Sequence, residues 1–352
     1  MTNPSGDCMK FGDFLFPESR TPDTDYQVVN DALAETELAE RLDYHSVWLG
    51  EHHFDGVCTY ADPMAFGGAV VARTKRVRVG FSAVQTAFHH PVRLAEQIAL
   101  LDNLSGGRIM VGTARGSAFN RYEYRGYGVK YEDAQSRLLE AERILVKAWS
   151  GERVHHKGTH WDMEIPVLRP KVVQKPYPPL IRAIASEGSL LDMARQGRPF
   201  MLSMQPVDKV QRMFDMYRGA MSDAGYDDDA VARATSNCWI WFNGVVAATD
   251  AEAAEIARPA YADSMRHILG GRVRMNTAAE QAEVETIYAG SDAGPEDDLV
   301  YGSPDTVSEA VAALRDAGAG GVMIQFRIGD MSWGAMESSM RLFAEQVMPR
   351  FT

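Results

Sequence analysis

The segment Ser46-Val-Trp-Leu-Gly-Glu-His-His-Phe54 decides the fold, because it joins a short apolar strand directly to a polar loop. An acid, two adjacent histidines and an aromatic residue follow the strand without a spacer. Loops that follow parallel strands are where α/β proteins gather their chemistry. Two histidines at such a junction can transfer protons near neutral pH, bind a metal or grip a ligand, or one packs while the other is solvated.

Strand-like and helix-like segments alternate on both sides of this junction. Helices with apolar residues at helical spacing lie between the strands, as in Tyr26–Arg41 and Pro304–Ala317. Eight such units predict a closed (β/α)₈ TIM barrel rather than an open sheet, and no GxGxxG follows the first strand. The predicted strands are Lys10–Phe16, His45–Leu49, Val77–Val84, Ile109–Thr113, Leu180–Ala185, Phe200–Met204, Asn237–Val246 and Val322–Phe326.

Two segments interrupt the alternation. Val154–Met163, with a central Lys-Gly, is typical of a β-hairpin. The segment 269–298 carries Gly270-Gly271, Gly290 and an acidic end, and we interpret it as an inserted loop that serves as a mobile lid. Taken as a whole, the sequence predicts a single domain over residues 1–352, with residues 1–9 as a flexible N-terminus.

Composition limits the classes of partner. The 352 residues are 45% hydrophobic, which is enough for a large core, and the net charge is −12. That charge argues against a nucleic acid or an anionic membrane as the main partner. The three cysteines are far apart and predict neither a disulfide framework nor a thiolate metal site. No signal peptide or membrane-spanning run is seen, so we expect a cytoplasmic protein.

Two loops at the predicted barrel mouth favour phosphate binding. Arg115-Gly-Ser117 follows the fourth strand and offers a cation, a flexible backbone and a hydroxyl. Ser186-Glu-Gly-Ser189 precedes a helix, whose free N–H groups and hydroxyls suit an anion. Either loop alone has a plainer explanation, in which the serines only cap the helix and Arg115 makes a surface ion pair. Both loops at one mouth favour a phosphate monoester.

A metal site is the alternative role for the histidines at this mouth, which are His52, His53, His89 and His90. Only Glu51 and Glu187 are carboxylates in reach, and Glu51 is better interpreted as a structural partner of an arginine or histidine. We therefore expect no metal. The hairpin histidines His155, His156 and His160 are expected to be exposed.

Several motifs are spread in order along nearly the whole chain. They are Lys10-Phe-Gly-Asp-Phe-Leu-Phe16, Trp48-Leu-Gly-Glu-His-His-Phe54, His90-Pro-Val-Arg93, Ala95-Glu96, Leu101-Asp-Asn-Leu-Ser-Gly-Gly-Arg108, Val111-Gly-Thr-Ala-Arg-Gly116, Gln174-Lys-Pro-Tyr-Pro-Pro179 and Gly302-Ser-Pro304. Each motif alone is weak, but several in one order make chance an unsatisfactory explanation. In this order and spacing the chain resembles the bacterial luciferase-like flavin-dependent monooxygenases, closest to the luciferase α-subunit type.

The resemblance implies a TIM barrel that takes reduced FMN from a separate flavin reductase. In such proteins the flavin reacts with O₂ to give a C4a-peroxide, which oxygenates a small organic substrate such as an aldehyde, ketone or terpenoid. His52 matches the family's catalytic histidine, and Ser82-Ala83 matches a cis peptide bond that lies against the flavin ring. The residues that match the phosphate site are Arg115, Arg125, Ser186 and Ser189.

Departures from the luciferase pattern leave the substrate open. Ala114 replaces a reactive cysteine and Met204 replaces an aromatic residue, which argues against light emission. Many relatives pair identical chains, and the segments after the second and third strands are candidates for a homodimer interface. Three alternatives remain: hydride transfer with the deazaflavin F420 on the same fold, a non-catalytic flavin-binding accessory protein, and a zinc hydrolase.

Overall fold

The computed structural model describes residues 8–289, 294 and 296–351. Its strands are β1 (Lys10–Leu15), β2 (Ser46–Leu49), β3 (Arg78–Gln85), β4 (Ile109–Ala114), β5 (Val154–Lys157), β6 (Asp162–Ile165), β7 (Leu180–Ala183), β8 (Phe200–Ser203), β9 (Trp239–Val246), β10 (Leu299–Gly302) and β11 (Gly321–Gln325). Its α-helices are α1 (Asp25–Arg41), α2 (Pro63–Arg73), α3 (Pro91–Ser105), α4 (Arg121–Gly126), α5 (Ala134–Ser150), α6 (Glu187–Arg195), α7 (Val207–Asp223), α8 (Asp228–Thr235), α9 (Asp250–Met275), α10 (Ala278–Ala289), α11 (Pro304–Ala317) and α12 (Trp333–Leu342).

Eight parallel strands close into a barrel. Neighbours hydrogen-bond in the order β1, β2, β3, β4, β7, β8, β9 and β11, and β11 returns to β1. The strand β10 pairs with the far end of β9, outside the ring. Helices follow the strands and cover the outside, so the predicted (β/α)₈ TIM barrel is confirmed.

The interior of the barrel is filled by large side chains. The indole of Trp48 is fully buried, and a Cβ atom added at Gly12 or Gly80 on the flanking strands would overlap it. Glycine at these two positions therefore makes room for one tryptophan in the centre of the barrel. The buried interior cluster is Phe14, Trp48, Met110, Ile181, Met201, Trp239 and Met323.

The β5–β6 hairpin forms as predicted, but its histidines differ in exposure. His155 is 66% exposed, whereas His156 is only 10% exposed and its Nε2 lies 2.8 Å from Oε1 of Glu140 on α5. The backbone N–H of Trp161 also donates to Glu140, at 3.0 Å. The expectation that all three hairpin histidines are exposed is therefore wrong for His156, because Glu140 attaches the hairpin to α5.

The segment 269–298 is mostly helical, so the expectation of an inserted loop is wrong through residue 289. The helix α9 continues to Met275, and α10 follows after two residues. Gly271 faces the loop after β2, where an added Cβ would lie 3.3 Å from Cβ of Asp55, so the glycines that suggested a break instead permit close packing. The expectations for residues 290–293 and 295, and for residues 1–7, lie outside the described residues. In the described ranges no helix is long and apolar enough to cross a membrane.

Candidate functional site

Glu51 anchors two of the four histidines at the barrel mouth. Its Oε1 lies 3.1 Å from Nε2 of His53 and 2.8 Å from Nε2 of His89, and its Oε2 accepts from the N–H of Gln85 at 2.6 Å. Burial raises the pKa of Glu51, but His89 and His53 outweigh this and hold the pKa at about 2. Glu51 is therefore an ionised structural partner, as the sequence indicated, and His53 and His89 are engaged in holding the loop.

His52 is placed differently, with one ring nitrogen engaged and the other open. Its Nδ1 lies 2.9 Å from Oε1 of Glu123 and 3.0 Å from Nδ2 of Asn120, and its ring packs edge-on against Phe16 with centroids 5.4 Å apart. Over the described part of the chain Nε2 makes no hydrogen bond, and the side chain is 25% exposed. An imidazole held at one nitrogen and open at the other is the arrangement that proton transfer requires.

Glu123 sets the charge balance at His52. Burial lowers the pKa of His52, but the Glu123 carboxylate outweighs burial and raises this pKa above its ordinary value. Burial raises the pKa of Glu123, and His52 together with the N–H of His53, at 2.9 Å, outweighs burial and lowers it. At neutral pH Glu123 is an anion, and it both orients the ring and favours its protonation.

Sequence reasoning missed Glu123 and Asn120. Glu123 lies between Tyr122 and Tyr124, both buried, on the short helix α4. An acid inside an aromatic stretch has to be buried with a partner, and that signal could have identified Glu123. Asn120 gave no comparable signal, because its role depends on contacts with distant parts of the chain.

The two loops predicted to hold a phosphate lie on adjacent strands. Arg115 follows β4 and Ser186 follows β7, and these strands pair in register from Val111 and Leu180. The Arg115 guanidinium carbon lies 5.4 Å from the centroid of the Tyr131 ring. None of the described carboxylates forms an ion pair with Arg115, so its charge is available to an anion.

Ser186 and Ser189 form a capping box at the start of α6. The N–H of Ser189 donates to Oγ of Ser186 at 3.3 Å, and the N–H of Ser186 donates to Oγ of Ser189 at 3.2 Å. The capping role considered as the plainer explanation is therefore present. It leaves the first N–H groups of the helix, at Glu187 and Gly188, directed toward exposed space, where an anion can approach.

The peptide bond between Ser82 and Ala83 is cis, as the resemblance implied. It interrupts the regular pairing of β3 with β4, which shifts register between Phe81 and Val84. The Oγ of Ser82 lies 3.2 Å from Sδ of Met201, a member of the interior cluster. This part of β3 therefore faces the barrel interior.

Arg125 contacts the helices α9 and α10. Its Nη1 lies 2.7 Å from both carboxylate oxygens of Glu280 on α10, and its Nη2 donates to the carbonyl of Met275 at 2.6 Å. The side chain is 49% exposed. Its role as a phosphate ligand remains a prediction and requires this ion pair to open.

The helices α9 and α10 are fastened to the loop and helix around His52. Arg272 donates through Nε to Oδ1 of Asn120 at 2.9 Å, and Asn276 donates through Nδ2 to the carbonyl of Phe119 at 3.0 Å. Phe119 in turn stacks on Tyr288 of α10 with centroids 4.7 Å apart. The helices α9 and α10 therefore cover the side of the site that carries Asn120.

The remaining mouth histidine, His90, is exposed at the start of α3 and does not join the others. Among the residues that the structure describes, no three His, Cys, Asp or Glu side chains converge on a point that suits a metal ion. Cys58 and Cys238 are buried free thiols, and Cys8 is exposed.

Solved structures with this fold carry more than one cofactor. The FMN-bound oxygenating component of 3,6-diketocamphane monooxygenase from Pseudomonas putida is similar, with a TM-score of 0.79 at 21% identity over 98% of this chain and 99% of that one. An F420-dependent secondary alcohol dehydrogenase has a TM-score of 0.74 at 17% identity over 98% of this chain and 100% of that one. At these identities the likeness shows the fold alone.

Three further similar proteins are monooxygenases by name. The monooxygenase RslO1 from Streptomyces bottropensis has a TM-score of 0.81 at 28% identity, over 98% of this chain and 100% of that one. Limonene 1,2-monooxygenase from Rhodococcus erythropolis is 26% identical over 97% of this chain and 86% of its own. The oxygenase component of the flavin-dependent trigonelline monooxygenase from Acinetobacter baylyi is 31% identical, but the match covers only 49% of this chain and 48% of that one. The family model described as luciferase-like monooxygenase matches residues 9–320, and the chain belongs to that family.

Proposed function

We propose that this protein is the oxygenase component of a two-component, FMN-dependent monooxygenase that receives reduced FMN from a separate reductase. It would transfer one oxygen atom of O₂ to a small apolar substrate such as an aldehyde, ketone or terpenoid. One observation carries this proposal. Arg115, which has no carboxylate partner among the described residues, and the open start of α6 lie on adjacent strand ends, at the same mouth as His52.

The residues at the mouth suit FMN. Arg115 supplies a fixed positive charge, and the N-terminus of α6 with Ser186 and Ser189 supplies N–H and hydroxyl donors for the phosphate. Ser82 and Ala83, on the part of β3 that faces the interior, would lie against the ring system. Bound reduced FMN would supply the activation of O₂, which no side chain here provides.

His52 would be the acid–base group. Its Nε2 is open, while Nδ1 is held by Glu123 and Asn120, so a proton can be exchanged at Nε2 without moving the ring. The Glu123 carboxylate raises the pKa of His52 above its ordinary value, which favours the protonated form that a general acid requires.

The substrate pocket would be apolar on the side of β1 and β9. Phe14 stacks on Phe16 at 5.7 Å and meets Trp241 edge-on at 5.6 Å between centroids. These rings line the approach to His52 through Phe16 and would take a hydrocarbon-rich substrate. The named activity of the limonene relative, which matches over nearly the whole chain, supports a substrate of this class.

The helices α9 and α10 would exclude water during the reaction. Near the site these helices are fastened through Asn120, Phe119 and Arg125, whereas the first half of α9 packs on the core through Ala257, Ala260 and Tyr261. Such polar fastenings can open and close at low cost, as a cover over a water-sensitive reaction must.

The test is oxygen-coupled turnover. The purified protein with a flavin reductase, NADH and FMN is expected to consume O₂ and oxygenate apolar aldehydes, ketones or terpenes, and His52→Ala should lower this coupled turnover by at least about 100-fold. Uncoupled O₂ consumption by free reduced flavin is measured with the reductase alone. Absence of reduced FMN binding would contradict the proposal.

The same experiment separates the cofactor alternatives. The phosphate-binding loops could also hold F420, so FMN and F420 are titrated side by side. Tighter binding of F420 with no O₂ use would favour hydride transfer. Flavin binding with neither activity, but with stimulation of a partner oxygenase, would favour an accessory protein.

A further inference from the structure

The contacts around Asn120 contain a conflict that Arg272 resolves. Asn120 presents its Nδ2 to Nδ1 of His52 at 3.0 Å, while Oε1 of Glu123 lies 2.9 Å from the same Nδ1. An amide nitrogen can only donate, and a carboxylate oxygen can only accept. Nδ1 therefore accepts from Asn120 when it is bare and donates to Glu123 when it carries a proton, and in the second case the amide nitrogen of Asn120 is left with Oε1 of Glu123, at 3.4 Å.

The orientation of the Asn120 amide decides which partner is favoured. Nε of Arg272 donates to Oδ1 of Asn120 at 2.9 Å, and an arginine has no acceptor. The oxygen of the amide must therefore face Arg272, which leaves the nitrogen facing His52. Without Arg272 only the 3.4 Å bond from Nδ2 to Oε1 of Glu123 opposes a turn of the amide, and after that turn the amide oxygen could accept from a protonated Nδ1.

We propose that Arg272 on α9 is a positioning residue for His52. Through Asn120 it keeps an N–H donor beside Nδ1 of His52, and this opposes the protonation of Nδ1 that Glu123 favours. The inference concerns the chain itself, and its consequence for catalysis rests on the proposed function.

The charge of Arg272 acts in the same direction. The groups that face His52 are Asp55 on its own loop, Glu123 on α4 and Arg272 on α9, with Phe16, just after β1, and Asn120 as uncharged neighbours. Asp55 also accepts from the hydroxyl of Tyr122. Of these groups Arg272 is the cation, and it lowers the pKa of His52, whereas Glu123 and Asp55 raise it.

Arg272 also links the protonation of His52 to the helices that cover the site. Its guanidinium packs over the ring of Phe119, 5.0 Å from the centroid, and Nη1 donates to the hydroxyl of Tyr288 on α10. Movement of α9 and α10 away from α4 would separate Arg272 from Asn120. The proton would then be favoured on Nδ1, beside Glu123, so the position of the covering helices and the protonation of His52 are linked.

The experiment is a histidine ¹⁵N NMR titration of the whole protein without cofactor, with the His52 signals assigned by their loss in His52→Gln. Arg272→Met should shift the His52 titration to higher pH and increase the form with the proton on Nδ1. Arg274→Met removes an exposed charge two residues away on the same helix and should change neither property.

Further variants separate charge from orientation. Arg272→Lys keeps the charge but not the fixed Nε donor, so it should reproduce the change of tautomer with a smaller shift in the titration. Asn120→Asp places an acceptor beside Nδ1 and should shift the titration upward even with Arg272 present. If Arg272→Met matches Arg274→Met, or if Asn120→Asp leaves the titration unchanged, the proposal is wrong.

The pH profile of coupled turnover tests the proposed function separately from this inference. If His52 is the acid–base group, the pH profile of coupled turnover should move with the NMR midpoint in Arg272→Lys. An NMR shift without a shift in the pH profile would leave the positioning role of Arg272 intact and contradict the catalytic role of His52.

Discussion

At the scale of single residues, we expect binding of the FMN phosphate to depend most directly on Arg115. It lies at the end of β4 beside the start of α6, and it has no carboxylate partner among the described residues. A hydrogen bond to a charged group contributes about 1.5–3 kcal/mol. Arg115→Met is therefore expected to weaken binding of reduced FMN by about 10- to 150-fold.

The comparison ligand is riboflavin, which lacks the phosphate. Its affinity should change less than threefold in Arg115→Met, because the ring contacts remain. Arg93→Met removes an arginine that is 72% exposed on α3 and should affect neither ligand. Equal losses for FMN and riboflavin, measured by anaerobic titration, would assign Arg115 to the ring or to folding rather than to the phosphate.

Glu123 gives a second prediction at this scale, on stability against pH. Because Glu123 raises the pKa of His52 above its ordinary value of 6.5, this pair stabilises the fold fully below pH 6.5 and loses that contribution as pH rises through the raised value. Glu123→Gln should lower the free energy of unfolding by about 1.5–3 kcal/mol near pH 6, since a charge-assisted hydrogen bond is lost.

The same variant should show a shallower loss of stability above pH 6.5. Some loss should remain, because Glu51 raises the pKa of His89 in the same way. Urea denaturation at several pH values measures both effects. An unchanged pH dependence in Glu123→Gln would mean that Glu123 does not control the protonation of His52.

At the scale of elements, the strands and the hairpin could be predicted from sequence because each carries its own signal. Apolar runs bounded by turns identified all eight barrel strands, and Ser303 with Gly318 marked the ends of α11 correctly. The continuation of α9 could not be predicted in this way. Gly270-Gly271 lowers local helix propensity, and the packing of Gly271 against Asp55, distant in sequence, overrides it.

In the site, too, residues placed by the local sequence could be predicted, whereas contacts between distant segments could not. His52, Arg115 and Ser186 follow strands, so the barrel rule brought them to one mouth. Asn120 and Arg272 are 152 residues apart and meet only because α9 packs against α4. A contact of that kind leaves no pattern in a single sequence.

The elements beneath the mouth are joined by a buried ion cluster. The carboxylate of Glu142 on α5 forms ion pairs with Arg182 of β7 and with Arg198, whose Nη1 lies 2.7 Å away. It also accepts a hydrogen bond from Oγ1 of Thr113 on β4 at 2.5 Å. Burial raises the pKa of Glu142, and the two arginines outweigh this and lower it to about 2. The cluster fixes the adjacent strands whose ends carry Arg115 and Ser186.

Glu142→Gln is therefore expected to cost about 3–5 kcal/mol of folding free energy, because it leaves Arg182 buried without a counter-ion. The contribution of Glu142 is fully present above its ordinary pKa of 4.5 and should be lost as pH falls toward 2. Glu337→Gln disrupts an exposed pair with Arg341 and should leave the free energy of unfolding nearly unchanged. Similar losses in the two variants, measured by urea denaturation, would contradict a structural role for the cluster.

At the scale of the whole molecule, one face of the barrel exposes a small group of apolar side chains. Leu100 and Leu104 lie four residues apart on α3, and they are 49% and 62% exposed. Residues at this spacing share one side of a helix. Val173, in the connection before β7, is 48% exposed and lies next to Gly107, just beyond the end of α3.

We propose that this face, defined by Leu100, Leu104 and Val173, contributes to a homodimer. The sequence already suggested the segments after the second and third strands for that purpose, and α3 belongs to the second of these. A buried leucine contributes about 1.5–3 kcal/mol, and each is buried twice in a two-fold dimer. Sedimentation velocity at micromolar concentration should give the mass of two chains for the native protein.

Leu104→Glu places a charge on this face in both subunits and should shift the protein to monomers without changing its thermal unfolding by more than a few degrees. Tyr26→Glu changes a residue that is 81% exposed on α1 and should leave the dimer intact. A monomeric native protein would refute the homodimer. A dimer that survives Leu104→Glu would locate the interface on another face, since a charge buried against an apolar surface without a partner costs several kcal/mol.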